Sequence, residues 1–243
     1  MKLVITALAL PALGSSPAHA QLEWAAWGTP NGTTNSGSFS TGDFVQLTSF
    51  FDGITAGVPA GGEYISDPPI PGVPDGTNPT FQRIVTGSPH PTVLANGATV
   101  ASLDLTTVDV DTATTFGLAD LKSGLWYQLE LQDSFDNPLS LAGVRLSHYN
   151  LTLTGGVFIA DYDLTLNPTT GLILVNSIHE VPTAIYQHSG LTLFDHLPLL
   201  TRRIVLKTGR SEDSEGISIY LGIPSTTPVA PTTWGGLKSR DWR

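Results

Sequence analysis

An all-β fold, an antiparallel two-sheet β-sandwich of jelly-roll-like form, is what this sequence predicts. Three observations predict it. Threonine occurs 30 times, mostly interleaved with Leu, Val and Ile, and β-branched residues suit a pleated surface and resist helix. Apolar residues recur with a period of two in short runs bounded by Gly, Pro, Asn and Asp, the pattern of half-buried strands joined by turns. No segment sustains the helical period. The runs number about eleven or twelve, more than one open sheet comfortably holds, so two packed sheets follow.

The first residues precede the sandwich. Met1 and Lys2 lead into an apolar stretch over 3–13, and Ala18-His19-Ala20 stands before Gln21. A short positive start, an apolar run and an Ala-x-Ala exit predict a secretory signal peptide over 1–20. The run is well short of the roughly 20 residues that span a bilayer. The expected product is therefore secreted, whether extracellular, periplasmic or associated with the cell surface. No later run reaches spanning length, so no transmembrane segment is expected after cleavage.

The sandwich domain is expected over 21–222. A first strand is read at 22–27, and residues 28–42, dense in Gly, Asn, Ser and Thr, read as loop. A second strand follows at 44–50. Between Gly53 and Pro79, 12 of 27 residues are Gly or Pro, which leaves no long regular element and predicts a long irregular loop. The strand pattern resumes at 81–85. The stretch 98–110 changes apolar parity near Leu103 and Leu105, implying a bulge or two strands. Residues 116–123 have room for one helical turn.

The clearest alternation lies at 125–132. Leu125, Tyr127, Leu129 and Leu131 face one way, Gln128, Glu130 and Gln132 the other, and Trp126 shares the outward parity. A turn at 133–138 leads to strands at 144–148 and 151–153. Over 158–166, Phe158, Ala160, Tyr162, Leu164 and Leu166 share one face, while Asp161, Asp163 and Thr165 share the other. Asn167-Pro168-Thr169-Thr170-Gly171 closes a hairpin into a strand at 172–178. Further strands are expected at 184–187, 191–194, 203–207 and 217–221. After Gly222 a Pro/Thr-rich linker and a basic, Trp-containing tail occupy 223–243, a flexible end. Pro231 to Trp234 with the terminal arginines is faintly similar to bacterial PEP-CTERM sorting tails. The acidic residue of that signature and its apolar span are absent, so no membership follows.

Composition narrows the function. The chain has no cysteine, which excludes disulfides, a thiol nucleophile and a Cys-ligated metal. Eleven Lys+Arg against 21 Asp+Glu give a formal charge of −10, so nucleic acid is not an expected partner. No H-E-x-x-H, G-x-S-x-G or phosphate-cradling glycine loop is present.

Two groups of residues carry what chemical signal remains. Trp24, Trp27, Trp126 and Tyr149 are the candidate binding residues, because flat aromatic rings that retain a polar edge suit ligands with both apolar faces and hydroxyls. Asp161, Asp163, His179, His188 and His196 are the candidate metal ligands, with a structural Ca2+ as the ion the carboxylates would take; no other cofactor is expected. The sequence thus points to an exported, non-enzymatic protein that acts by binding or assembly. Its expected partners are polysaccharide, cell-surface components or copies of itself. The alternative is a glycoside-active or metal-dependent hydrolase in which histidines, His148 among them, and carboxylates converge in a concave site.

Overall fold

The computed structural model describes residues 22–50, 54–56, 64–66, 82–86, 98–119, 121, 126–149, 151–153, 157–158, 160–180, 190–208 and 215–225. The expected signal peptide, the strand expected at 184–187 and most of the tail lie outside the described residues.

Every regular element among the described residues is a strand. In chain order these are β1 (Leu22–Trp24), β2 (Ala26–Trp27), β3 (Thr34–Ser38), β4 (Phe44–Ser49), β5 (Ile54–Ala56) and β6 (Tyr64–Ser66). They continue with β7 (Gln82–Thr86), β8 (Ala98–Asp104), β9 (Thr115–Ala119), β10 (Trp126–Gln132), β11 (Arg145–Tyr149) and β12 (Leu151–Leu153). The last are β13 (Val157–Phe158), β14 (Ala160–Leu166), β15 (Leu172–Glu180), β16 (Leu191–Asp195), β17 (Arg203–Thr208) and β18 (Glu215–Pro224).

Two antiparallel sheets dominate. A seven-stranded sheet runs β11-β16-β9-β18-β7-β5, with β1 added to β18, and an eight-stranded sheet runs β14-β15-β10-β17-β8-β4-β3-β2. A small third sheet joins β13, β12 and β6. Within the large sheets lies a nested pattern: β7-β18-β9-β16 in one and β8-β17-β10-β15 in the other. From β7 to β10 and from β15 to β18 the chain passes back and forth between the sheets. That wrapping is the double-sheet arrangement of a jelly roll.

The main core lies between the sheets. Val45, Leu47, Leu103, Leu129, Leu131 and Leu206 from the eight-stranded sheet meet Phe116, Leu118, Phe194, Ile219 and Leu221 from the seven-stranded one. The seven-stranded sheet also carries a second buried cluster, Ala119, Leu191, Leu193 and Tyr220. Side chains alternate across a strand, so this cluster occupies the face turned away from the main core. Gly117 belongs there because the layer is tight: a Cβ would stand 2.9 Å from the Tyr220 Cβ and 3.0 Å from the Leu193 Cδ2.

That double burial corrects one expectation. Of the segment given room for a helical turn, 116–123, residues 116–119 belong to β9, whose five residues are all buried. A strand buried on both faces loses the polar alternation that marks a half-exposed one. A second correction concerns 28–42, read as loop, which contains β3. Its inward positions are Asn35 and Gly37. The Asn35 side chain donates to the Gly28 carbonyl at 3.1 Å and accepts from the Ser36 amide at 2.8 Å, so a polar residue fills a core position without losing its partners.

Other differences are local. The parity change in β8 falls between Val100 and Ala101, both buried, where the pairing with β17 shifts register. The strand ends at Asp104 and does not run on to 110. β14 carries a register shift between Asp161 and Tyr162. β18 extends to Pro224, paired with Leu22, so the regular structure passes the expected boundary at Gly222. The region 53–79 holds two three-residue strands, β5 and β6; the rest of it lies outside the described residues.

Candidate functional site

The outer face of the eight-stranded sheet is polar and grooved. Along β10, Tyr127, Leu129 and Leu131 are buried, while Trp126, Gln128, Glu130 and Gln132 are half-buried on the other side. The register then aligns a grid. On β17, Lys207 stands opposite Gln128, Val205 opposite Glu130 and Arg203 opposite Gln132. On β8, Thr99, Ser102 and Asp104 stand opposite Lys207, Val205 and Arg203. On β4, Thr48 and Gln46 stand opposite Ser102 and Asp104. A groove of about 440 Å3 lies over these four strands, lined by all of these side chains except Gln128 and by Phe50.

β4 begins with an outward aromatic, and a second follows directly after its last residue. Phe44 is 50% exposed and Phe50 is 56% exposed, with Gln46 and Thr48 between them. The Thr107 hydroxyl bridges the Phe44 backbone, accepting from its N–H at 2.9 Å and donating to its carbonyl at 2.6 Å. This fixes the backbone of the first aromatic.

Charges in the groove are matched. Lys207 Nζ lies 2.5 Å from Glu130 Oε2, and Gln132 Nε2 donates to Glu130 Oε1 at 2.6 Å. Arg203 pairs with Asp136, and Asp104 accepts from the Thr106 amide at 2.9 Å and from its hydroxyl. Partial burial pushes the Glu130 carboxyl up. The hydrogen bonds from Lys207 and Gln132 and the lysine charge together outweigh that effect and hold it below its ordinary 4.5. A carboxylate with a depressed folded value contributes stability above its unfolded value and loses it as pH falls through the folded one. The stability gap between wild type and Glu130→Gln is expected to stay constant above about pH 5 and to shrink on further acidification. Urea denaturation between about pH 3 and about pH 9, below the range in which lysine loses its proton, checks this; a gap that does not shrink on acidification would remove the ion pair as its source.

A second groove of about 440 Å3 flanks the other side of β10, between the loop 138–142 and the hairpin turn 168–171. Gln128 Nε2 donates to the Thr170 carbonyl at 2.6 Å. The Leu129 amide donates to the Gly171 carbonyl at 2.9 Å, and the Leu139 amide to the Leu131 carbonyl at 2.7 Å. Both walls are therefore tied to β10.

The four candidate binding aromatics do not form one platform. Trp126 lies on the grooved face, opposite the exposed Leu174. Trp24 and Tyr149 pack on the second cluster of the seven-stranded sheet, with Trp24 edge-on to Tyr220 at 6.2 Å. Trp27 packs against the main core. Each sits on a different strand, only Trp24 and Tyr149 share a face, and sequence order does not reveal which strands become neighbours.

Of the candidate metal ligands, two are neighbours in the sheet. Asp161 and His179 are direct register partners on β14 and β15, and Asp163 stands opposite Asn176 and is exposed. The side chains of Asp161 and His179, and all of His188, lie outside the described residues. His196 Nδ1 lies 2.6 Å from Asp195 Oδ1, and His148 Nδ1 lies 2.9 Å from Thr192 Oγ1. Among the described residues, no three His, Asp or Glu side chains gather as a metal site would require.

Several groove residues went unmarked in the sequence: Gln46, Thr48 and Ser102. The signal for Glu130 and Gln132 was present in the alternation of β10. The outward parity of 44–50 and 203–207 could have supplied most of the others.

No family model, curated protein or solved structure matches this chain.

Proposed function

We propose that this is an exported, non-catalytic carbohydrate-binding protein whose ligand lies on the outer face of the eight-stranded sheet. The observation that carries the reading is the groove over β4, β8, β17 and β10, whose polar lining includes the exposed ring of Phe50. Sugars present hydroxyls, which donate and accept, together with apolar C–H faces. The amides of Gln46 and Gln132, the hydroxyls of Thr48 and Ser102 and the charged ends of Lys207 and Glu130 meet the first need. Phe50 in the groove meets the second, and Phe44 and Trp126 lie on the same face beyond its lining. Export is inferred from residues 1–20 and places the protein where polysaccharides are.

The state of Glu130 does not suit it to act as the acid of a glycosidase. A glycosidase acid must hold its proton near neutral pH, which requires a raised value. Glu130 is shifted the other way and is tied to Lys207.

Affinity electrophoresis through gels of neutral cellulosic, xylan and mannan polymers tests the proposal. Retention by at least one polymer is expected. Phe50→Ala and Gln46→Ala are expected to weaken it by about tenfold or more, as loss of a central contact does. Both residues are exposed, so unfolding midpoints should stay near wild type. Absence of retention, or retention untouched by both variants, would refute the assignment.

One observation favours a second reading, assembly. Phe135, 82% exposed, shares a turn with Asp136, which pairs with Arg203 at the start of β17. Exposed Leu199 and Leu200 stand in the loop entering that strand. Three large apolar side chains thus project from two linked loops, a feature that marks contact surfaces. Sedimentation discriminates: monomer at all concentrations argues against assembly, and a concentration-dependent dimer abolished by Phe135→Ser supports it.

A further inference from the structure

We infer that the ligand is an internal stretch of a neutral, linear glycan laid across the strands, occupying a groove on each side of β10. This rests on the carbohydrate reading and adds what kind of chain fits and how it runs.

The first argument is continuity. The groove over β4, β8, β17 and β10 and the groove against 138–142 and 168–171 both include Glu130 in their walls. Glu130 projects outward from β10 between them. Adjacent strands lie 4.7–4.9 Å apart, so the path from β4 to β10 covers about 14 Å and the second groove extends it to about 19 Å. That is longer than one pyranose ring, so a single terminal sugar would leave most of the path empty.

The second argument is preorganisation. Asn167 Oδ1 accepts from the amides of Thr169 at 2.9 Å and Thr170 at 3.2 Å, which sets the turn. On the opposite wall, the Val144 amide donates to the Leu141 carbonyl at 3.0 Å. Walls fixed before binding spare the ligand the entropic cost of ordering them. Hydroxyls of Ser140, Thr169 and Thr170 alternate there with the apolar surfaces of Pro138, Leu139 and Pro168, the mixture a sugar chain presents in return.

The third argument is charge. The first groove sets Lys207 and Arg203 against Glu130 and Asp104, and Lys207 is paired with Glu130 within it. The second groove adds no further charged side chain. A balanced surface offers no field that would draw in a polyuronate or a polyamine.

Titration calorimetry of cello-, xylo- and manno-oligosaccharides from dimer to hexamer, with oligogalacturonate as the acidic comparison, tests the inference. For the sugar that binds, affinity is expected to rise at least about tenfold from dimer to hexamer as the second groove is engaged. Ala142→Trp, an exposed loop change into the second groove, is expected to abolish that rise with the unfolding midpoint near that of wild type. Equal affinity for dimer and hexamer, an Ala142→Trp protein that keeps the rise, or tighter binding of oligogalacturonate would overturn the inference and leave carbohydrate binding standing. Failure of every sugar to bind would remove both.

Discussion

Gly171→Ala is expected to destabilise the fold by about 3 kcal/mol or more, because two independent costs fall on one residue. Gly171 has φ of 71°, a conformation that side chains with a Cβ rarely adopt. A Cβ built there would also overlap the Leu129 carbonyl oxygen. The clash is with backbone, so no rotamer change relieves it. Relief would require moving the hairpin turn and breaking the bond from the Leu129 amide to the Gly171 carbonyl. Two other glycines separate the effects. Gly32 has φ of 61° with nothing within 4 Å of its Cβ position, and Gly143 has neither positive φ nor a neighbour within that range. Urea denaturation should rank Ala variants at about 0 kcal/mol for Gly143, about 1 for Gly32 and about 3 or more for Gly171. A Gly171 variant no worse than that of Gly32 would mean that the turn is not docked on β10. The same variant should weaken hexasaccharide binding, since the turn walls the second groove.

Phe116→Ala is the other large effect, about 3–5 kcal/mol. Phe116 is fully buried in the main core, with its ring 6.0 Å from that of Phe194. Its strand, β9, is hydrogen-bonded on both sides, to β16 and β18. The interior cannot collapse readily around a lost ring there, so the cavity cost adds to the lost transfer energy. Against a typical total of about 5–15 kcal/mol, this removes a large fraction of the stability. Phe135→Ala, at an exposed turn, is the control and should stay within about 0.5 kcal/mol. Thermal unfolding of the pair checks this, and equal losses would contradict the placement of β9 between two buried layers.

Much of the fold was legible because one face of many strands is wet. β10 shows this best: Tyr127, Leu129 and Leu131 went inward as the alternation required. The hairpin after β14 was marked by Asn167 and Gly171, which now cap and close the turn. β9 was not legible, since a strand covered on both faces has no polar half to reveal its period. β3 was missed for the opposite reason, with Asn35 and Gly37 at the inward positions in place of apolar side chains. The groove was hidden by sequence distance. Lys207 and Glu130 are 77 residues apart, and Thr107 reaches Phe44 across 63. Parity gives the face of each residue, whereas strand order decides which residues share a site. Trp126 was singled out for its parity and lies on the grooved face; Trp24 and Tyr149 lie on the other sheet.

Chemical-shift mapping of the protein with its bound hexasaccharide places the ligand most directly. Amide shifts are expected at Gln46, Thr48, Ser102, Glu130, Gln132 and Lys207, with the Trp126 indole moving and Trp24 and Tyr149 unchanged. Shifts confined to the Trp24 and Tyr149 face of the seven-stranded sheet, or to the Phe135 and Leu199 loops, would contradict a binding site on the outer face of the eight-stranded sheet.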